Sequence, residues 1–263
     1  MNPLLIPSYT EYEETYKASV NNPTQFWEGI AGEFTWQRPW HTTLEWEFST
    51  PTVKWFQGGI LNITENCLDR HLEEQGDDTA LIWEPNNPKE QEVRLTYKEL
   101  HSEVCRFANV LKAKGVKKGD RVAIYMPMVP ELTIGVLACA RIGAVHSVVF
   151  AGFSSNALAD RINDSQCVCV LTSDGMFRGT KTLPVKATVD EALKNCTSVE
   201  SVIVVRRDKR EVEMVNGRDY WYDEAVSEVS ADCAPEPNLR GATRGGLEIA
   251  VGGSRWKNSK CRA

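Results

Sequence analysis

Two cations set one short stretch of this chain apart. In GMFRGTK, Arg178 and Lys181 flank Gly179. Arginine grips phosphate oxygens through parallel N–H donors, lysine adds a mobile point charge, and a glycine between them lets an anion approach backbone amides. The spacing fits a phosphate clamp, and it equally fits a solvated surface loop. A second stretch, VVFAGFSSNALADRI, puts Phe150, Ala151 and Gly152 where a strand ends and a serine where a helix begins. Free amides there can take an anion or a ligand's polar edge. Close packing would select the same residues.

Other chemistry finds less support. His41, His71, His101 and His146 lie far apart without metal-ligand spacing and read as structural or surface residues. The eight cysteines form no C-x-x-C pair, so neither a zinc cage nor a disulfide framework is indicated. Cys167 and Cys169 read as one buried side of a strand. Asp69, Arg70 and His71 in LNITENCLDRHL read as the polar face of a helix. No G-x-G-x-x-G follows a strand, and neither a Walker-type loop nor a hydrolase elbow occurs, which removes kinase and α/β-hydrolase readings.

The elements that must hold the two loops are legible. LTYKELHSEVCRFANVLKAKGV carries a capping box at Thr96 and Glu99, an apolar stripe at Leu100, Val104, Phe107 and Leu111, and a stop at Gly115. It is followed by GDRVAIYMP as strand, PELTIGVLACARIG as helix, AVHSVVF as strand, SSNALADRIND as helix and CVCVLTS as strand. A short helix capped by Thr188 and Glu191 and the strand VESVIVVRR complete the series. This alternation predicts an α/β fold, a parallel sheet with flanking helices, whose ligands gather beyond the carboxyl ends of the strands. Both candidate loops fall at that edge.

Five of the eight tryptophans lie in the first 80 residues. There NNPTQFWEGIAGEF predicts a helix capped by Asn22, with Pro23 at its first position and Gln25 reaching back to the cap amide. Phe26, Trp27, Ile30 and Phe34 then share one face, read as packing core. With 263 residues, 42% apolar and 25% charged, and a net charge of −6, the chain has the makeup of a folded protein without the basic footprint of a nucleic-acid binder. Only residues 238–263 are basic, with six Lys or Arg against Glu248 and five glycines. They read as an unrelated, disordered tail. The start lacks a charged leader, and Arg141 and His146 interrupt the most apolar window, so no membrane span and a cytoplasmic location are expected.

The stretches NNPTQFWEGIA, VKWFQGGILNITENCLDRHL, LTYKELHSEVCRFANVLKAKGVKKGDRVAIYMPMVPEL, ACARIGAVHSVVFAGFSSNALADRI and DGMFRGTKTLPVK together resemble the N-terminal portion of the AMP-forming acetyl-coenzyme A synthetases, within the adenylate-forming superfamily. The resemblance implies an acetyl-CoA-synthetase-type segment over 1–80 and a partial AMP-dependent synthetase α/β domain over 81–237. It implies a reaction of acetate, ATP and coenzyme A, with Mg2+ serving ATP, that gives acetyl-CoA, AMP and pyrophosphate through acetyl-adenylate. It further implies that Arg178 and Lys181 meet the 3′-phosphate of coenzyme A, beside Gly179, and that Phe150, Ala151 and Gly152 wall its adenine. Lys181 stands where relatives also carry Arg. The Ser/Thr/Gly-rich loop ending in Lys-Pro-Lys-Gly and the late lysine of adenylation do not occur in this sequence. The chain is therefore expected to be a fragment that keeps part of the coenzyme A site, lacks the ATP and Mg2+ sites and is inactive alone. The alternatives are a non-catalytic coenzyme A-binding or synthetase-pairing module and, for the tail, a nucleic-acid arm.

Overall fold

The computed structural model describes residues 6–179 and 181–237. The expected tail, 238–263, lies outside them. Two compact units are described separately, residues 6–62 and 63–236.

The first unit holds α1 (Tyr9–Asn21), α2 (Pro23–Gly32) and an antiparallel hairpin of β1 (Thr42–Glu47) and β2 (Thr52–Gln57). The Asn22 side chain caps α2 by accepting from the Gln25 amide at 3.3 Å, with Pro23 at the first position as expected. Gln25 does not reach the Asn22 backbone N–H, because that group already donates to Ala18 at 3.0 Å as the last bond of α1. Its side chain meets the Asn22 amide group at 2.8 Å instead. The aromatic stripe of α2 also departs from expectation. Only Ala31 is buried in that helix, and Trp27 and Phe34 remain 42% and 38% exposed. The rings gather instead around the hairpin, where Trp36, Trp40 and Phe56 pack at centroid distances of 4.8 to 5.7 Å.

The second unit opens with α3 (Ile63–Cys67), a 3-10 turn (Asp69–His71) and α4 (Leu72–Gln75), not one helix with a polar face. The chain breaks there because Asp69 turns inward to Arg141. Next come the antiparallel pair β3 (Thr79–Trp83) and β4 (Val93–Thr96) and the helix α5 (Tyr97–Ala113). Thr96 and Glu99 form the full capping box, and Leu100, Val104, Phe107 and Leu111 are all buried. Then follow β5 (Arg121–Met126), α6 (Pro130–Arg141), β6 (Val145–Phe150), α7 (Ser155–Ser165), β7 (Cys169–Ser173), the short β8 (Met176–Arg178) and β9 (Lys181–Leu183), α8 (Val185–Leu193), β10 (Ser201–Val205), β11 (Asp219–Trp221) and α9 (Tyr222–Ser227).

Five strands form one parallel sheet in the order β11-β10-β7-β5-β6, as the alternation of strands and helices requires. Val122, Ile124 and Met126 of β5 pack toward α5, α6 and α9, whereas Ala123 and Tyr125 pack toward α7 and α8. Cys169 belongs to the first layer and Cys167 to the second, so they do not share a side. The strand starts only at Cys169, and alternation cannot be counted back past its end. Burial pushes both thiols up, to about 12 for Cys167 and about 11 for Cys169, which leaves them inert. The α8 cap also differs: the helix begins a turn earlier, with Pro184 at the cap, and Thr188 donates to the Pro184 carbonyl at 3.2 Å. Burial of Val185 and Lys186 draws that turn into the helix. Among the described residues no helix is long and apolar enough to cross a membrane.

Candidate functional site

The GMFRGTK stretch is a hairpin of β8 and β9, and Arg178 and Lys181 are cross-strand partners in it. Gly179 holds φ at +60° in the turn, a left-handed conformation, and open space surrounds the position a Cβ would take. Directly opposed like charges destabilise a ribbon unless an anion lies between them. Both side chains are exposed, and neither is engaged by a hydrogen bond or ion pair among the described residues. The neighbouring Phe177 lies under the Arg207 guanidinium, 4.7 Å from its ring centre, and Arg207 is itself fixed by Glu90 at 2.6 and 3.0 Å. Alternation along the strand therefore points Arg178 to the other side of the ribbon, away from that contact.

The base of the hairpin is tied by a residue that sequence reasoning missed. The fully buried Asp174 accepts from the amides of Gly175, Arg207, Asp208 and Lys209 at 2.6 to 3.1 Å. One carboxylate thus joins the exit of β7 to the turn after β10. An Asp-Gly pair after a strand was its only local signal.

Phe150, Ala151 and Gly152 leave the carboxyl end of β6. Phe150 is 68% exposed and meets Phe153 edge to face at 5.9 Å. A Cβ on Gly152 would lie 2.4 Å from the Phe150 ring, so the bare glycine lets that ring settle over the backbone. The Tyr125 hydroxyl donates to the Ala151 carbonyl at 2.9 Å and lies 2.7 Å from that of Phe153. Tyr125, the polar-tipped residue of a buried apolar strand, was the second supporting group missed. Ser154 caps α7 through the Ala157 amide at 3.3 Å.

The two loops meet at one edge. Ala151, Tyr125, Met176 and Val185 share one buried cluster, and only β5 separates β6 from β7. Two strand spacings amount to about 10 Å, within the combined reach of the Arg178 and Lys181 side chains. An exposed aromatic face beside two unneutralised cations can stack a base and hold its phosphate.

His101 lies with Asp69 and Arg141 on the opposite layer, its Nε2 3.5 Å from an Asp69 oxygen. Hydrogen bonding to Asp69, and then to Cys105, pushes His101 up to about 9. Burial pushes the Asp69 carboxyl up, but hydrogen bonds from His101 and Arg141 outweigh it and hold the group well below the usual carboxylate range. No group of three or more His, Cys, Asp or Glu side chains among the described residues is placed to hold a metal ion.

The profile of AMP-binding enzymes matches residues 68–239, and that of the acetyl-coenzyme A synthetase N-terminus matches residues 12–67. An acetyl-coenzyme A synthetase of Novosphingobium aromaticivorans is 52% identical over 227 residues, which cover 86% of this chain and 35% of that protein. Acetyl-coenzyme A synthetase 2 of Pseudomonas putida is 50% identical over the same share of each. Among solved structures, acetoacetyl-CoA synthetase from Streptomyces lividans superposes with a TM-score of 0.78 at 25% identity, covering 89% of this chain and 35% of that one. The chain thus spans about a third of the length of the relatives it matches.

Proposed function

Because the chain belongs to the AMP-binding enzyme family, we propose that its β6 and β7 edge is the coenzyme A 3′-phosphate and adenine subsite of an AMP-forming acetate–CoA ligase. In the whole ligase, acetate attacks ATP to give acetyl-adenylate and pyrophosphate. The coenzyme A thiol then attacks the acetyl carbonyl and AMP leaves. ATP and Mg2+ belong to the first half-reaction, and no step of it is assigned to residues of this chain.

The contribution of these residues is binding and orientation. Arg178 takes the 3′-phosphate through its fork of N–H donors, Lys181 adds a second charge, and Gly179 leaves room for the phosphate over the turn. Phe150 stacks on the adenine, with Ala151 and Gly152 closing its edge. Tyr125 and Asp174 position the two loops without touching the ligand. Residues 1–80 form the synthetase-type N-terminal segment and 81–237 the first part of the α/β domain, in a cytoplasmic enzyme.

The observation that supports this reading is the opposed, unneutralised Arg178 and Lys181 pair beside an exposed phenyl ring. Adenosine 3′,5′-bisphosphate carries both recognised groups and tests it. Calorimetric titration should show binding that weakens several-fold in Arg178→Ala and in Phe150→Ala. Binding that both substitutions leave unchanged would place the nucleotide elsewhere.

A further inference from the structure

A two-stranded ribbon is marginal by itself, so what anchors β8 and β9 decides where their cations lie. The strands are three residues each and stand outside the five-stranded sheet. Met176 is buried at the base and Leu183 packs beside it, but Phe177, Arg178, Lys181 and Thr182 are exposed. Among the described residues, 177–182 make one ring contact, ion pair or side-chain hydrogen bond to the rest of the unit, and that is Phe177 on Arg207.

Arg207 is held to that contact from several sides. Its guanidinium lies over two rings, 4.7 Å from the centre of Phe177 and 5.1 Å from that of Trp83. Both Glu90 oxygens accept from it, at 2.6 and 3.0 Å, and its backbone N–H donates to the buried Asp174 at 2.7 Å. The side chain is only 15% exposed, so water competes little for these contacts. Trp83 is fixed in turn, its indole N–H donating to the Met128 carbonyl at 2.8 Å. Trp83 belongs to β3, Glu90 to the β3–β4 connection and Met128 to the loop after β5, so one side chain ties the ribbon to all of them.

We propose that Arg207 is a positioning residue: it holds Phe177 on one side of the ribbon and thereby aims Arg178 from the other. Successive side chains of a strand alternate, so a ribbon that rolls about its axis moves both. The inference rests on the assignment of this edge to the 3′-phosphate and names a residue that acts on it without touching the ligand. A guanidinium suits the role better than an ammonium, because its plane can stack on a ring while its fork of donors stays on a carboxylate.

The test compares coenzyme A with 3′-dephospho-coenzyme A by calorimetry in the unaltered chain, Arg207→Met and Arg207→Lys, and follows the amide chemical shifts of Phe177, Arg178 and Lys181. Methionine keeps the stem and leaves the backbone donation to Asp174 in place. Arg207→Met should move the three amides and cut a preference for coenzyme A of about tenfold to about threefold, the loss expected when one of two cations is misaimed. Affinity for 3′-dephospho-coenzyme A should stay within about twofold, whereas a general loss of structure would weaken both ligands alike. Arg207→Lys returns a cation to the rings and should recover most of the preference. Unmoved amides, a preference that Arg207→Met leaves intact, or an equal loss for both ligands would overturn the proposal while the assignment of the edge stands. No preference in the unaltered chain would overturn that assignment, and this role with it.

Discussion

Asp69→Asn is expected to be among the most damaging isosteric changes in the second unit. The Arg141 side chain is 3% exposed and donates to both Asp69 oxygens at 2.9 Å, to the Cys233 carbonyl at 2.6 Å and to the Thr64 hydroxyl at 3.2 Å. The asparagine keeps one acceptor but removes the countercharge, and a buried guanidinium left uncompensated costs about 3–5 kcal/mol. Asp69 is 28% exposed, so water reaches its side of the pair and the lower end of that range applies, about 3 kcal/mol. In urea, with a slope of about 2 kcal/mol per molar, the midpoint should fall by about 1.5 M. Arg141→Met in the Asp69→Asn background should restore part of the loss, because it removes the stranded charge. A midpoint shift below about 0.5 M for Asp69→Asn would refute this reasoning. So would losses in the double variant that simply add.

The same cluster sets a pH dependence. His101 is raised to about 9 from an ordinary value near 6.5, so its stabilisation is complete below about pH 6.5 and is lost as pH rises through 9. Asp69 is depressed, so its share is present above about pH 4 and is lost as pH falls below it. Asp69→Asn should therefore flatten the alkaline limb in denaturation midpoints taken from pH 6 to 10, and a limb of unchanged slope would contradict the pairing. Lys186→Met removes one of two cations on the buried Asp219 carboxylate, which Lys186 meets at 2.8 Å and Arg218 at 2.6 and 3.0 Å, and should lower stability by about 1.5 kcal/mol in urea; an unchanged midpoint would count against it. Tyr125→Phe releases the Ala151 carbonyl and should speed amide hydrogen exchange in residues 150–153 while β5 stays protected.

Much of the second unit was legible because its signals are local. The Thr96 and Glu99 box, the stripe of α5 and the order of strands and helices lie within short windows, and the parallel sheet follows from that order. The placement of the two candidate loops at the carboxyl ends of β6 and β7 was also legible, because it follows from the same order of elements. Their support was not, because Asp174 receives the amides of residues 207–209 and Asp69 meets Arg141 across 72 positions of sequence. A carboxylate's partner at that separation leaves no trace in its neighbours. Arg141 did carry a hint, as a charge inside an apolar run. The aromatic stripe of α2 misled for the opposite reason: helical periodicity gives a shared face, but what covers that face is a tertiary fact.

The most direct test of the clamp is calorimetry of the chain with coenzyme A and with 3′-dephospho-coenzyme A under identical salt. Two exposed cations on one phosphate are worth together about 1.4 kcal/mol, which is tenfold in Kd. We expect coenzyme A to bind about tenfold more tightly, with the difference abolished in Arg178→Ala, Lys181→Ala. Equal affinity for the two ligands, or a preference that survives the double substitution, would contradict the assignment of this edge to the 3′-phosphate.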